Sequence, residues 1–237
     1  MSQPAIKPIE DSIPELIDSD GEPLESNWQR IQITFLIDVI GRAMAERQRP
    51  DFFAGGNMFL YFSLEQARSI ATEPPEKNLH FRGPDVFFVA GVDGRRDRKY
   101  WVVWEEGGRY PDLIVELLSP STAHVDRTTK KELYEHVFRT PEYFLYDPQT
   151  EGLEGFRLFD GAYQPLKPDA QGRLWSRELG LWLGRWQGRR EEFDTTWLRL
   201  YDSDGRLIPT SEEAERERAE TAEAEIARLR ARLAERG

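Results

Sequence analysis

The chain of 237 residues contains no cysteine. Disulfide bonds, zinc–thiolate centres, iron–sulfur clusters and thiol nucleophiles are therefore excluded. Long hydrophobic runs are missing as well, since no stretch approaches the ~20 apolar residues that a membrane-spanning helix needs. The opening residues MSQPAIKPIEDS lack the basic and apolar regions of a signal peptide. We therefore expect a cytoplasmic protein that does not contact a membrane.

Histidine and lysine are both scarce. The three histidines are His80, His124 and His136, and their spacing does not give the HExxH pattern of zinc hydrolases. The sequence also lacks GxGxxG, the P-loop pattern and GxSxG, which are typical of nucleotide-binding sites and serine hydrolases. Six lysines stand against 26 arginines. Carboxylates and lysines remain as the candidate chemical groups.

Acidic residues outnumber basic ones by 43 to 32, which gives a net charge of −11. This charge argues against a protein that coats nucleic acid non-specifically, because such a surface needs clustered lysine and arginine. The excess is uneven, however, since residues 1–26 contribute −6 and residues 211–237 contribute −2. Residues 27–210 carry only −3, and Arg95, Arg96, Arg98 and Lys99 are expected to form a basic loop within them.

Apolar periodicity predicts a single α/β (mixed α+β) domain at residues 27–210. Ser26 or Asn27 is the expected N-cap of a helix that ends near Pro50. Runs rich in β-branched and aromatic residues then predict strands, and helical spacing returns once between them. The expected strands are Gly55–Leu64, Pro84–Val92, Tyr100–Glu106, Asp112–Ser119 and Glu142–Asp147, with a helix at Asp126–Phe138 and hairpin turns at Asp160–Gly161 and Ser203–Gly205. Strands and helices are mixed, with strands predominating in the middle, which predicts an α+β or α/β domain.

The two ends of the chain differ from this domain in composition. Residues 1–26 are rich in Asp, Glu, Pro and Ser and are expected to form a poorly ordered acidic arm. In residues 211–237, apolar side chains alternate at spacings of three and four, which is the a/d pattern of a coiled coil. That pattern predicts either a dimer seam or a helix docked on the domain, and a solvated, charge-rich single helix is the open alternative.

Two carboxylates, Asp85 and Glu116, lie in or beside otherwise apolar strands. Burying an ionised Glu116 between Val115 and Leu117 is costly unless a metal ion or another cation compensates the charge. Strand alternation also allows Glu116 to lie on a solvent-facing side of its strand, but that side is otherwise apolar, so we expect a buried and compensated glutamate. Asp112 lies four residues away on the same strand, roughly 13 Å from Glu116, which is too far to share one ion. Asp85 belongs to a different strand, and adjacent strands lie only ~4.8 Å apart. Asp85 and Glu116 are therefore the feasible pair, and Asp112 is interpreted as a turn residue.

Lys130 and Lys131 begin the predicted helix that follows the Glu116 strand. Lysine can lose its proton and polarise a water molecule, which arginine effectively cannot do. Neighbouring residues on a helix point about 100° apart, so only one of the two lysines is expected to face the strand end. A solvated helix face is the alternative for both.

Several runs of the chain resemble the Uma-two family of restriction endonuclease-like proteins, in the PD-(D/E)XK nuclease superfamily. The resemblance rests on RGPDVFFV, YPDLIVELLSPSTAHVDRTTKKELYEHVFRTPEYFLYDP, GFRLFDGAYQPL and ELGLWL. Asp85 and Glu116 match the two acids of the superfamily pattern. Leu118 occupies the position of the usual lysine, and the family pattern D-x-x-x-K-x-x-x-Y corresponds to Asp126, Lys130 and Tyr134.

The resemblance implies a restriction-endonuclease-like core, with a central mixed sheet flanked by helices. It also implies a Mg²⁺-dependent DNA endonuclease, with Mn²⁺ as an alternative ion. Asp85, Glu116 and the backbone carbonyl of Leu117 would bind the metal, and Lys130 would orient the attacking water or stabilise the charged transition state. DNA is the expected substrate. A homodimer assembled through the C-terminal helix is the expected assembly. The alternative is a catalytically inactive binding or regulatory module that keeps the fold and the helix.

Overall fold

A computed structural model describes residues 14, 16–18, 26–72 and 83–234. Most of the predicted acidic arm, residues 1–26, lies outside the described residues, as does His80. In chain order the elements are α1 (Asn27–Glu46), β1 (Phe52–Gly55), β2 (Leu60–Tyr61), α2 (Leu64–Thr72), β3 (Val86–Ala90), β4 (Trp101–Val102), β5 (Leu113–Leu117), α3 (Ala123–Val125), β6 (Glu142–Asp147), β7 (Gly152–Phe159), β8 (Ala162–Pro165), β9 (Leu174–Ser176), β10 (Leu181–Arg190), β11 (Phe193–Tyr201) and α4 (Ser211–Ala234).

The first helix begins where its sequence predicts. Ser26 is extended and its side chain accepts a hydrogen bond from the backbone N–H of Gln29 at 3.1 Å, which satisfies one free donor of the first turn. The helix buries one apolar face, which includes Phe35, Leu36 and Val39. This face covers one side of the main sheet and fixes α1 beside the strands.

In the described ranges the main sheet has six strands in the order β1–β3–β5–β6–β7–β8. The pair β5–β6 is parallel and the other neighbours are antiparallel, so the predicted mixed α/β fold with a central mixed sheet is confirmed. Parallel neighbours need a crossover connection, and residues 118–141 provide it. The crossover therefore lies directly against the centre of the sheet.

The crossover contains a continuous helix at residues 123–138, here called the site helix. It begins as α3 and widens into π-helical turns at Asp126–Lys130 and Leu133–Phe138. Wide turns of this kind are rare and often occur at functional sites. The predicted helix at Asp126–Phe138 is confirmed, with its start three residues earlier.

Two predicted strands are wrong in extent. The predicted strand Gly55–Leu64 is interrupted, since Gly55 ends β1, Leu60–Tyr61 form β2 and Leu64 begins α2. Asn57 takes a left-handed conformation (φ 50°) that turns the chain between the two strands. The run Tyr100–Glu106 contains only the two-residue strand β4. Beyond it the chain turns through Gly107 and Gly108, both at positive φ.

A second sheet of three antiparallel strands, β11–β10–β9, packs near the main one. Its strands β9 and β10 are not among the predicted elements. Side chains of β5 alternate between two buried clusters, with Leu113, Val115 and Leu117 on the α1 side. Ile114 and Leu118 lie on the other side, in the cluster that contains the site helix. The sheet is thus covered on both faces, and Glu116 points to the face that the site helix covers.

Candidate active site

Asp85 and Glu116 lie opposite each other on neighbouring strands. Val86 of β3 pairs with Val115 of antiparallel β5, so Asp85, just before β3, falls level with Glu116. The backbone N–H of Asp85 donates to Glu116 Oε2 at 3.3 Å. The backbone N–H of Leu117 donates to Asp85 Oδ2 at 2.7 Å. The structure therefore brings the two predicted acids together, with Leu117 between them.

The backbone of Leu117 faces Asp85 because N–H and C=O of one strand residue point to the same edge. Its N–H already binds the Asp85 carboxylate, and the next N–H, that of Leu118, turns to β6 and binds the Tyr146 carbonyl at 2.8 Å. The Leu117 carbonyl is thus directed to the Asp85 side of β5. Its predicted role as a metal ligand stays a prediction.

Glu116 is completely buried, and its carboxylate is compensated by a cation. Lys130 Nζ lies 3.1 Å from Glu116 Oε1, and the Lys130 side chain is only 12% exposed. This confirms the expectation that Glu116 is buried and compensated. The alternative, a solvent-facing glutamate, is excluded for this position.

The structure also distinguishes between the two neighbouring lysines. Lys130 faces the strand end, whereas the Lys131 ammonium lies over the Phe156 ring, 3.8 Å from its centroid. The 100° offset between helical neighbours separates them. Lys130 thus reaches Glu116 from the site helix, and Leu118, two residues after Glu116, is buried in the apolar cluster.

Three further side chains join the site that were not among the predicted site residues. Asp126 is buried and lies 2.8 Å from Lys130 Nζ through its Oδ1 atom. The Tyr134 hydroxyl donates to Glu116 Oε1 at 2.9 Å. The Gln29 side-chain amide donates to Asp85 Oδ1 at 2.9 Å. Asp126 and Tyr134 stand at four-residue spacing from Lys130, which is a signal for contact, whereas nothing in the sequence links Gln29 to Asp85.

The position of Asp85 depends on the turn between β1 and β2. The Asn57 backbone N–H donates to the carbonyls of Pro84 and Asp85, at 3.3 and 3.1 Å. At Gly83, an added Cβ would overlap the Met58 carbonyl group. The absence of a side chain at Gly83 therefore allows the close approach that places Asp85 at the start of β3.

Burial and neighbouring negative charge both raise the pKa of the two acids. Burial raises the pKa of Asp85, and Lys130 and the hydrogen bonds from Leu117 and Gln29 only partly oppose it. Burial raises the pKa of Glu116 well above its ordinary value, and the neighbouring Asp126 and Asp85 add to this effect. Strongly perturbed acids in one cluster are typical of functional sites.

The same carboxylates favour the charged form of Lys130. Burial alone would lower the pKa of Lys130, but Glu116, Asp126 and Asp85 outweigh it and raise the pKa above its ordinary value. Lys130 is therefore a stable cation in this environment. One ammonium group faces three carboxylates, so full ionisation of the acids would leave an excess of negative charge. This is why like charge adds to burial in raising the pKa of Asp85 and of Glu116.

Two other expectations concern residues outside this cluster. Asp112 lies at a bend directly before β5, in agreement with its interpretation as a turn residue, and its carboxylate accepts the Ala90 N–H at 2.7 Å. The predicted basic loop is largely neutralised, which the sequence did not reveal. Arg98 pairs with Glu106 at 2.8 Å, Arg96 pairs with the same glutamate at 3.2 Å, and Lys99 lies 4.0 Å from Asp18.

The oxygen ligands at the site are of the type that Mg²⁺ prefers. Within the described ranges, no group of three or more His, Cys, Asp or Glu side chains is arranged to hold a metal ion. Mg²⁺ usually needs only one or two carboxylates, together with water and substrate phosphates. Asp85, Glu116 and the Leu117 carbonyl fit that smaller set. No helix in the described part of the chain has the length and apolarity to cross a bilayer.

A family model and chains of solved structures both match this chain. Residues 10–196 match the model of the Uma2 family, whose description is "putative restriction endonuclease". The chain is similar to the crystal structure of a putative nuclease of DUF820 from Anabaena variabilis ATCC 29413, with 17% identity, a TM-score of 0.41, and coverage of 63% of this chain and 73% of that one. No curated protein matches the chain.

Proposed function

The chain belongs to the Uma2 family of restriction endonuclease-like proteins, and on that basis we propose that it is a metal-dependent endonuclease that hydrolyses phosphodiester bonds of DNA. Membership supports a nuclease-like function in general. The observation that carries the finer proposal is the convergence of Asp85, Glu116 and Lys130 from β3, β5 and the site helix. Two acids and a lysine in one cluster are the parts that the superfamily pattern requires.

Asp85, Glu116 and the Leu117 carbonyl are the groups that would hold the metal ion. Restriction endonuclease-like families generally use divalent metal ions, and we propose Mg²⁺ here, with Mn²⁺ as the alternative. When bound, such an ion polarises a phosphodiester and lowers the pKa of a water molecule. The clustering of Asp85, Glu116 and Asp126 around one ammonium group supports this assignment, because a divalent cation would stabilise the ionised form of the acids whose pKa burial raises.

Lys130 acts in this proposal as a fixed positive charge. Its raised pKa keeps the ammonium group protonated near neutral pH, so it is poorly suited to remove a proton from water. A protonated lysine can donate hydrogen bonds to a phosphate oxygen as negative charge develops there. Of the two roles expected for Lys130, stabilisation of the transition state is therefore the better supported.

Asp126, Tyr134 and Gln29 act as positioning residues. On the site helix, Asp126 pairs with Lys130, and the Tyr134 hydroxyl donates to Glu116. Gln29 of α1 donates to Asp85. Each restricts the rotation of a reacting side chain, which lowers the cost of assembling the site. A homodimer would present two such sites to the two strands of a duplex.

A catalytically inactive binding module is the alternative. The observation that favours it is that Lys130 is already paired with both Glu116 and Asp126, and that Leu118 occupies the usual lysine position. Such pairs also stabilise a fold without catalysis. Metal binding and cleavage separate the two proposals.

The test is plasmid cleavage by the purified chain with Mg²⁺ or Mn²⁺, with EDTA as the negative condition. We expect Glu116→Gln, Asp85→Asn and Lys130→Met each to reduce cleavage by about 100-fold or more, because each removes a charge from the site. Calorimetric titration with Mg²⁺ should detect binding to the wild type and lose it in Asp85→Asn.

Matched controls lie on the same helix. Lys131→Met removes a lysine one residue away that contacts Phe156, and Glu132→Gln neutralises an exposed acid. Both should cleave like the wild type. Cleavage that survives Glu116→Gln, or a wild type that binds no metal and cuts no DNA, would overturn the proposal, and the latter result would favour the inactive module.

A further inference from the structure

The helix α4 leaves the rest of the chain after its first turn. The Ser211 N–H and hydroxyl donate to the Asp38 carboxylate at 2.8 and 2.5 Å, and Arg199 pairs with Glu213 at 2.8 Å. Ala214 is the last buried residue, and residues 215–234 are all exposed in the described part of the chain. About 30 Å of helix therefore extends from an anchored base.

This exposed helix carries a continuous apolar stripe. Spacings of three and four place Ala219, Ala222, Ile226, Leu229 and Leu233 alternately at a and d positions. Ile226, Leu229 and Leu233 are 48%, 47% and 71% exposed, so each presents a large apolar side chain to solvent. Single exposed leucines are ordinary, but an ordered stripe on an otherwise unpacked helix indicates an unfilled contact.

The charged residues on the two sides of the stripe can pair with those of a second, identical helix. The flanking e and g positions are occupied by Arg218, Glu223, Glu225, Arg230 and Arg232. In a parallel pair of two copies, Glu225 would face Arg230 and Arg218 would face Glu223. In an antiparallel pair in which Ile226 packs on Leu229, Glu223 would face Arg230 and Glu225 would face Arg232. Either direction gives four attractive pairs, counting both copies, and no repulsive one.

We propose that α4 pairs with α4 of a second copy of this chain through the stripe. A helix that matches its own charge pattern on both sides of an apolar seam is self-complementary, and a second copy is the partner with that pattern. Ile226 at an a position and Leu229 at a d position are the combination that favours two strands in a parallel coiled coil. The pairing does not depend on the proposed nuclease activity.

Sedimentation equilibrium of the full chain over a range of concentrations tests the pairing. The wild type should sediment with the mass of two chains, and Leu229→Glu should raise the dissociation constant by more than about tenfold, because a carboxylate would enter the seam. Ala231→Glu is the matched control, since it adds the same side chain at the outer f position, two residues further along the helix. It should leave the mass unchanged.

Charge reversal gives a second, independent readout. A variant with Glu223→Arg and Glu225→Arg, and a variant with Arg230→Glu and Arg232→Glu, should each be monomeric through like-charge repulsion. An equimolar mixture of the two should regain the mass of two chains. Circular dichroism verifies that the domain stays folded. A wild type that is monomeric at all concentrations, or self-association that Leu229→Glu leaves intact, would overturn the pairing whatever the DNA cleavage assay gives.

Discussion

At the scale of single residues, the candidate site depends on one cation among buried carboxylates. Lys130 contacts Glu116 and Asp126, and both acids are less than 2% exposed. Pairing of this kind repays the cost of burying charge only while the cation is present. Loss of Lys130 should therefore lower the stability of the chain more than loss of a lysine that neutralises no buried acid.

Lys130→Met should destabilise the chain by about 3 kcal/mol, because it leaves Glu116 and Asp126 buried without their cation. Lys131→Met should cost less than about 1 kcal/mol, since a partly exposed cation–π contact with Phe156 is all that it removes. Urea unfolding without added metal measures both. Equal losses for the two variants would contradict the placement of Lys130 between the acids.

Tyr134→Phe should cost about 1–2 kcal/mol. The hydroxyl donates to the buried Glu116 carboxylate, so its removal leaves an acceptor with one partner fewer while the ring still packs between Phe138 and Tyr143. Thermal unfolding at neutral pH measures the change. An unchanged midpoint would show that the hydrogen bond does not contribute to stability.

Sequence patterns predict the acids and the lysine but only part of their surroundings. Asp85 and Glu116 are visible as carboxylates within apolar strands, and Lys130 as one of two lysines at a helix start. Gln29 could not be found, because 56 residues separate it from Asp85 and only the packing of α1 brings them together. Neutralisation of Arg98 by Glu106 was also hidden, since it depends on the turn between them, where the Glu106 N–H binds the Val102 carbonyl.

At the scale of elements, prediction succeeds where local signals and burial agree. Ser26 caps α1, the apolar runs give β3, β5 and β6, and Asp160–Gly161 turns β7 into β8. It fails at Gly55–Leu64, where an apolar run conceals a turn at Asn57. Strand identity there is decided by partners elsewhere in the chain, which a local pattern does not contain.

Gly83→Ala should destabilise the chain by more than about 3 kcal/mol, because a Cβ at this position would collide with the backbone carbonyl of Met58. Gly41→Ala is the matched change in the interior of α1, where no heavy atom would lie within 4 Å of the new methyl group. It should stabilise the chain by about 0.5–1 kcal/mol through helix propensity. Thermal melts of the two variants should therefore shift in opposite directions.

The anchor of α4 should be sensitive to acid. Burial alone would raise the pKa of Glu213, but hydrogen bonds from Arg199 and the Thr210 N–H outweigh it, and the net effect lowers the pKa. Folding therefore favours the ionised form, and this contribution is present above the ordinary pKa of 4.5 and is lost as the pH falls through the lowered value.

Glu213→Gln should thus be less stable than the wild type at pH 7, by about 1–3 kcal/mol, with Arg199 left buried. The difference should shrink as the pH falls from about 5 to about 2. Urea unfolding at a series of pH values measures it. Glu212→Gln is the control, because the Glu212 side chain is 58% exposed, and it should show little difference at any pH. A Glu213→Gln defect that does not change with pH would contradict the ionised pair.

At the scale of the whole molecule, the two larger sheets are joined by a buried polar network. Glu142 of β6 accepts hydrogen bonds from Arg157 of β7 at 2.7 Å and from Ser176 of β9 at 2.5 Å. The Arg177 N–H adds a third contact at 2.9 Å. The network links the end of the parallel strand pair to the second sheet.

Glu142→Ala should destabilise the chain by about 3–5 kcal/mol, because it leaves an arginine and a hydroxyl buried without their acceptor. It should also separate the unfolding curves recorded by tryptophan fluorescence and by far-UV circular dichroism, since Trp175, Trp182, Trp186 and Trp197 lie in the second sheet. If the two curves coincide for the variant as for the wild type, and the variant loses little stability, Glu142 does not couple the sheets.

Lys130 lies on the site helix and not on the strand of Glu116, and this placement has one more consequence. When an acid and a lysine share one strand of a sheet, local unfolding separates them from the site only if that strand opens. Core strands open at free energies close to that of global unfolding. Here Lys130 and the two acids belong to separate elements, so a local opening of the π-helical turns at 126–138 would withdraw Lys130 while Asp85 and Glu116 keep their places. We expect amide hydrogen exchange to be faster in those turns than in β5. The chemical competence of the site would then be governed by the lifetime of one crossover segment and not by the global stability of the protein.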